Sequence, residues 1–423
     1  MPRTPEKALP AWLLGSGVIA VAMGVMNLGT YGFTIIAARL LGPGEYGAVA
    51  ALMGLLLIVN VASLGLQATG ARRVSSAPAD LDGIEADILT ATYKSAVAVG
   101  VLCALATPVI NLVLRLESLT TAAMVAVTAV PLTLMGGQAG ILQGERRWLP
   151  LAGIYLGLGF GRIGFGLLML LVRPDALGAM VGVMLGAFVP VLIGWLALRH
   201  PSRQRAATVG SPRSRPGRSR HVLRELVHNS HALLAFFALS NVDVVVARVL
   251  LDEHDAGLYA GGLILAKAVL FLPQFVVVVA FPSMAEEEAG MSTTVRALGL
   301  VLAIGLVATT FAWLLHGVAV QFIGGSAYAE LEPLLWAFAL VGTVWAMTQL
   351  IVYNSVARQS KGAVGVVWAG LVTLVVVTRA VSSVEALVTA VIVVESVLLA
   401  VLLLIGFRTQ RAMAAPVERR PLA

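Results

Sequence analysis

Twelve long apolar stretches decide what this chain can fold into. They run roughly over 12–38, 46–69, 88–113, 119–142, 149–171, 176–198, 226–250, 257–283, 297–322, 331–353, 363–380 and 384–407. A bilayer-crossing helix needs ~20 mostly apolar residues. In a chain of 423 residues, twelve such stretches leave little for anything else. Hydrophobic residues make up 59% of the chain and charged ones 12%, against roughly 25% charged in a soluble domain. These proportions exclude a disordered chain and argue against a soluble globular protein. They also argue against a nucleic-acid partner, despite the net charge of +7. Cys103 stands alone, so no intramolecular disulfide can form. The expected fold class is an all-α polytopic membrane protein with twelve transmembrane helices.

The basic residues report topology. With the N-terminus inside, 21 of the 29 Lys and Arg fall on the inner side. Five (Arg39, Arg115, Arg173, Arg248 and Arg379) fall outside, and three (Lys94, Arg162 and Lys267) lie within spans. That asymmetry predicts cytoplasmic N- and C-termini in the cell membrane and an even number of spans. The first apolar run is too long for a signal-peptide core and no cleavage site follows it, so no secretory signal is expected. The longest polar segment, 199–225, carries six Arg between Pro201 and Arg220 and no acidic residue before Glu225. It reads as a cytoplasmic basic linker between an N-terminal six-helix lobe, 1–198, and a C-terminal lobe with a short tail, 226–423. Its arginines either only fix topology or also grip anionic membrane lipids, at ~1 kcal/mol per basic residue.

The two lobes repeat each other. Arg39, Glu45, Gly47 and Ala50 match Arg248, Asp255, Gly257 and Ala260, at offsets of 209 and then 210. Gln138, Gln143 and Arg147 match Gln349, Asn354 and Arg358, all at 211. Both lobes start inside and hold six spans. They are therefore expected to be parallel repeats related by a pseudo-two-fold axis along the membrane normal, with a binding site near the midplane.

Ionisable groups inside a membrane are costly and hence informative. Arg162, Asp243, Lys267 and Glu395 each lie about eight to ten residues, or ~12–15 Å, from the outer ends of their spans. Asp243 and Lys267 sit on consecutive spans and can pair. Arg162, Lys267 and Asp243 line a charged, wet central cavity on one reading. On the other they form a buried ion pair that only fixes helix packing. Glu395 is a weaker candidate, because Ser396 can satisfy it locally. Arg39 and Arg248 are candidate gate residues at equivalent outer ends, or simply snorkel to the headgroups. Lys94 and His316 read as interfacial.

Other patterns carry no chemistry. Gly159, Gly161 and Gly164 form a G-x-G-x-x-G with no strand before it, so the dinucleotide reading fails. Gly153, Gly157 and Gly161 read instead as a small-residue packing face. Asp252, Glu253, His254 and Asp255 resemble a metal cluster but lie in a polar turn. The acidic run from Asp80 to Asp87 lacks calcium-loop spacing. Pro108, Pro131, Pro190 and Pro273 fall within spans and predict kinks. No metal or cofactor is expected.

The stretch from Thr34 to Ala50 resembles the R-x-L-G-P-x-x-[FY]-G opening of bacterial polysaccharide-unit flippases, with Arg39, Leu41, Gly42, Pro43, Glu45 and Gly47 in place. These flippases belong to the multidrug/oligosaccharidyl-lipid/polysaccharide exporter superfamily. Leu142-Gln143-Gly144 with Arg146-Arg147 is similar to that family's L-Q-G-x-x-R. Asn241, Asp243 through Arg248 and Gly257-Leu258-Tyr259-Ala260 look like its motif across spans seven and eight, and Phe281-Pro282 like its F-P at the end of span eight. The resemblance implies a two-lobe, twelve-span transporter, not an enzyme, working by alternating access. Its substrate would be a lipid-linked oligosaccharide, usually on a polyprenyl diphosphate, with a polysaccharide polymerase and glycosyltransferases as pathway partners. A diphosphate needs cations, and Arg162 and Lys267 are the expected ones, with Asp243 holding Lys267 in the empty state. The drug-exporting branch commonly carries an acidic residue in span one, and none occurs between Ala11 and Leu41. A cation-coupled small-molecule exporter with Asp243 as its coupling carboxylate is the second reading. A membrane-embedded glycan polymerase or ligase ranks last, because every outer loop is short.

Overall fold

A computed structural model describes residues 11–76, 81–199, 218–284, 291–357 and 361–414, and among them it contains helices and turns but no strand. The stretch Gly17–Ser76 is 60 residues long. At ~1.5 Å per residue it would be about three times a bilayer core if it were one helix. It is broken at Gly42, whose φ of 71° and ψ of 177° lie outside the helical range. Only glycine adopts that backbone without strain, and Pro43 then fits the first turn of the next helix. The L-G-P of the sequence motif is thus the corner between α1 (11–41) and α2 (43–76). The others are α3 Leu81–Val113, α4 Leu119–Gly144, α5 Trp148–Val172, α6 Ala176–Leu198, α7 Arg218–Leu250, α8 Glu253–Met284, α9 Met291–Leu314, α10 Leu335–Ala357, α11 Lys361–Thr378 and α12 Val384–Ala414. The protein is a multi-pass membrane protein, all-α with twelve long helices among the described residues.

One boundary differs from expectation. The ninth apolar stretch was read through to 322, but α9 ends at Leu314. A short helix, His316–Ile323, and a 3-10 segment, Gly325–Leu334, follow before α10. The short helix buries Val320 and Ile323 and exposes Val318 and Phe322. An apolar helix lying at the surface has the same composition as the end of a span, so hydropathy alone could not separate them. Residues 200–217 of the basic linker, Asp80 and both chain ends lie outside the described residues.

The chain divides into two compact units, Met1–Leu234 and Ala235–Ala423, with the division inside α7. In the first unit α4 is enclosed by α2, α3 and α6, while α5 packs against α1 and α6. In the second, α10 is enclosed by α8, α9 and α12, and α11 packs on α12. The helices around α4 and α10 correspond one for one, six spans apart, as the offsets of the sequence repeat require.

Close approach holds the first unit together. Ser63 on α2 donates its hydroxyl to the Leu132 carbonyl of α4 at 2.7 Å. A Cβ at Gly161 on α5 would lie 2.6 Å from the Gly186 carbonyl oxygen of α6. Gly153 and Gly157 also face α6, against Ile193. Gly153, Gly157 and Gly161 therefore form a packing face towards α6; in lipid, where apolar burial between helices gains little, such contact is what binds helices. Two charged motif residues act as caps. Glu45 accepts the backbone N–H of Ala176 at the start of α6 (2.8 Å), beside the N-cap Asp175. Arg147 donates to the Ala197 carbonyl at the end of α6 (2.8 Å). Helix ends carry unsatisfied backbone groups, and these side chains satisfy both ends of one helix.

Candidate functional site

The second unit buries a polar cluster built on α7, α8, α10 and α12. Asp243 on α7 is fully buried, and its Oδ2 accepts the hydroxyl of Tyr259 on α8 at 2.7 Å. Tyr259 is itself buried and packs edge-on against Phe338 of α10, with ring centroids 5.4 Å apart. Two residues before Asp243, Asn241 accepts the Lys267 ammonium through its Oδ1 at 3.0 Å. Asp243 and Lys267 therefore meet electrostatically but not in contact: each is held by a neutral side chain on the other's helix. Asp243 Oδ1 has no hydrogen-bond partner.

Glu395 on α12 belongs to the same cluster. It is 1% exposed, and its charge acts on Asp243. Neither the Glu395 carboxylate nor the buried indole N–H of Trp345 on α10 has a hydrogen-bond partner among the described residues. Ser396 does not satisfy it, for both carboxylate oxygens lack partners. Two buried carboxylates with unfilled oxygens and one lysine thus share the interior of this unit. Asn241 and Tyr259 stand in the quoted motif, but the roles of these two and of Trp345 were missed. The signal for them was weak: neutral side chains at the depth of a charged one on a neighbouring span.

In the first unit Arg162 lies midway along α5, 8% exposed. Its Nε is buried without a partner, and no ion pair or hydrogen bond to it occurs among the described residues. Among the described residues the guanidinium, a group that stays charged, has no counter-ion in its own bundle. A second polar group lies on the same helix. Tyr155 and Gln143 both bind the Gln67 amide, whose Nε2 is 2.7 Å from the Tyr155 hydroxyl and 2.8 Å from Gln143 Oε1.

The two candidate gate arginines differ. Arg248 is 4% exposed and pairs with Glu253 at 2.9 Å. Arg39 is exposed, as is Lys94. The acidic turn is tied internally and to the 3-10 segment before α10: Asp252 accepts the Asp255 N–H, and His254 meets Glu330 at 3.1 Å. His316 similarly meets Glu332 at 3.3 Å. No group of three or more His, Cys, Asp or Glu among the described residues is placed to hold a metal.

The polysaccharide biosynthesis protein family model matches residues 13–288, more than half of the chain. The chain belongs to that family. A search of curated proteins finds no match. Solved structures share the fold. An inward-facing multidrug resistance MATE family transporter of the MOP superfamily is 14% identical, with a TM-score of 0.66 over 95% of this chain and 99% of that one. A MOP superfamily transporter from Pyrococcus furiosus is 14% identical, with a TM-score of 0.61 over 96% and 97%. The eukaryotic MATE transporter AtDTX14 is 12% identical, with a TM-score of 0.58 over 93% and 94%. At these identities the likeness shows a shared fold.

Proposed function

We propose that the protein is a flippase that moves a polyprenyl-diphosphate-linked oligosaccharide from the inner to the outer leaflet of the cell membrane, for surface polysaccharide synthesis. Both termini and the 199–225 linker are cytoplasmic on this reading, and the two six-helix halves alternate access. The observation that carries it is Arg162: a buried arginine whose Nε has no partner among the described residues, in a chain of the polysaccharide biosynthesis protein family. A diphosphate supplies what that cation lacks, through two-pronged N–H···O bonds. Lys267, held by Asn241 in the second unit, is a further candidate cation. Outward movement of an anion is helped by the membrane potential, at ~2.3 kcal/mol per charge per 100 mV.

The test is Arg162→Lys and Arg162→Gln. Lys keeps the charge without the fork, and Gln keeps neither. Both variants accumulate in the membrane, export of the lipid-linked glycan falls with Gln worse than Lys, and its precursor builds up inside. Normal export by Arg162→Gln, or its failure to accumulate, makes Arg162 a structural residue and removes the reading. A second reading, a cation-coupled exporter of small molecules, is favoured by Asp243 and Glu395, whose unfilled oxygens suit a bound cation or proton. Transport of a cationic dye in vesicles, lost in Asp243→Asn while glycan export persists, selects that reading.

A further inference from the structure

The first unit carries a second binding element that the cation argument does not use. Gln67 of α2, Gln143 of α4 and Tyr155 of α5 come from three helices and meet in one hydrogen-bonded group. All three are partly or fully exposed rather than buried. Gln67 Nε2 spends both its hydrogens on the other two, at 2.8 and 2.7 Å. Among the described residues nothing else occupies the Gln67 carbonyl, the Gln143 amide hydrogens or the Tyr155 hydroxyl hydrogen. The group therefore presents donors and acceptors together and carries no charge. That inventory suits hydroxyl and acetamido groups, which both give and take hydrogen bonds. It suits neither a phosphate, which wants cations, nor a metal ion.

Position adds to chemistry. Trp148, Tyr155 and Arg162 recur every seven residues along α5. Seven residues are about two turns, so the three lie on one stripe, ~10 Å apart along the axis. Gly153, Gly157 and Gly161 occupy the face towards α6. The stripe thus runs from an aromatic ring at the helix start, through the polar group, to the unpartnered cation. In a lipid diphosphate sugar the first sugar is bonded directly to the diphosphate, and the apolar face of a sugar ring packs on aromatic rings. A site for the sugar must then lie beside the cation on the side from which the glycan projects. On the topology argued above, that is the cytoplasmic side of Arg162.

We infer that Gln67, Gln143 and Tyr155 form a sugar subsite that binds the membrane-proximal sugar of the substrate by its hydroxyl or acetamido groups, next to the diphosphate contact of Arg162. This inference rests on the flippase reading. The test measures binding of defined lipids to the purified full-length protein in detergent. The probes are bare polyprenyl diphosphate and the same lipid carrying glucose, galactose, N-acetylglucosamine or N-acetylgalactosamine. The wild type binds at least one sugar-bearing lipid about tenfold more tightly than the bare lipid, the effect expected of a few hydrogen bonds. Gln67→Leu and Tyr155→Phe bring that ratio towards one, whereas Arg162→Gln weakens both lipids and keeps the ratio. Tyr155→Phe removes one oxygen and keeps the ring, so it separates lost recognition from lost folding. A ratio that persists in the Gln67→Leu/Tyr155→Phe double variant overturns the subsite. So does a wild type indifferent to every sugar, which leaves the flippase reading standing. A wild type that binds no polyprenyl diphosphate overturns that reading itself.

Discussion

Replacing Tyr259 by Phe deletes one oxygen and keeps the ring that packs on Phe338. The oxygen lost is the side-chain donor to Asp243 Oδ2, at 2.7 Å, in a pair with no exposure at either end. Hydrogen bonds to charged groups contribute ~1.5–3 kcal/mol in proteins generally. Between membrane helices the measured values are smaller, averaging about 0.6 and reaching about 1.7 kcal/mol. This bond belongs near the upper end of that range, because Asp243 Oδ1 already lacks a partner and water cannot replace the donor. The expected loss is about 1–2 kcal/mol, roughly a tenfold shift in the unfolding equilibrium. The same change in an Asp243→Leu background should cost almost nothing, since no acceptor remains. Reversible unfolding in mixed micelles, read for the four proteins of the cycle, gives the coupling directly. An equal cost of Tyr259→Phe in both backgrounds would refute the argument, by placing the loss in ring packing instead.

Three further outcomes follow from the same geometry. Topology reporters fused after Arg213 and after Asp252 should give opposite signals, cytoplasmic and extracytoplasmic respectively; an outside signal at Arg213 would invert the membrane orientation. Asp243→Asn and Lys267→Met should each lower abundance more than the double variant does, because a lone buried charge is worse than none; additive losses would show that the pair is uncoupled. Gly161→Val should destabilise the first unit by about 1–3 kcal/mol through overpacking against Gly186, while Gly164→Ala, with nothing within 4 Å of its Cβ, should be tolerated; equal effects in thermal unfolding would remove the α5–α6 contact as their cause.

The spans were legible because lipid imposes one rule everywhere: backbone polar groups must be satisfied within helices, so apolar length maps directly onto structure. Buried charges were legible for a related reason, since each is costly enough to demand an explanation. Partners were not. Span order and depth suggest that Asp243 and Lys267 pair, yet the hydrogen bonds they make go to neutral groups, Tyr259 and Asn241 respectively. A neutral hydroxyl or amide costs little in a span, so nothing in the composition marks it. The Gln67–Gln143–Tyr155 group escaped for the same reason, although Gln143 stands in a quoted motif. Glu45 falls inside the quoted motif, at a position the motif leaves open, and its role required knowing that Ala176, 131 residues away, lies at its side chain.

Duplication explains what the two units share, and divergence explains what each can bind. α4 and α10 keep corresponding neighbours, so the packing scheme has persisted. The interior charges have not. At the offset of 209 that aligns Arg39 with Arg248, Asp243 aligns with Thr34, whose hydroxyl is turned back to the Thr30 carbonyl of its own helix. At the offset of 211 that aligns Arg147 with Arg358, Arg162 aligns with Thr373, which likewise binds only its own backbone, at Ala369. Each of these two charges therefore corresponds to a threonine in the other half, a residue that a span accommodates at little cost. A cation without a partner in one bundle, and carboxylates with unfilled oxygens in the other, would be hard to retain if they served packing alone. On the flippase reading Arg162 of the first unit serves the anionic lipid, Lys267 of the second is a further candidate cation for it, and Asp243 and Glu395 suit whatever cation accompanies the cycle.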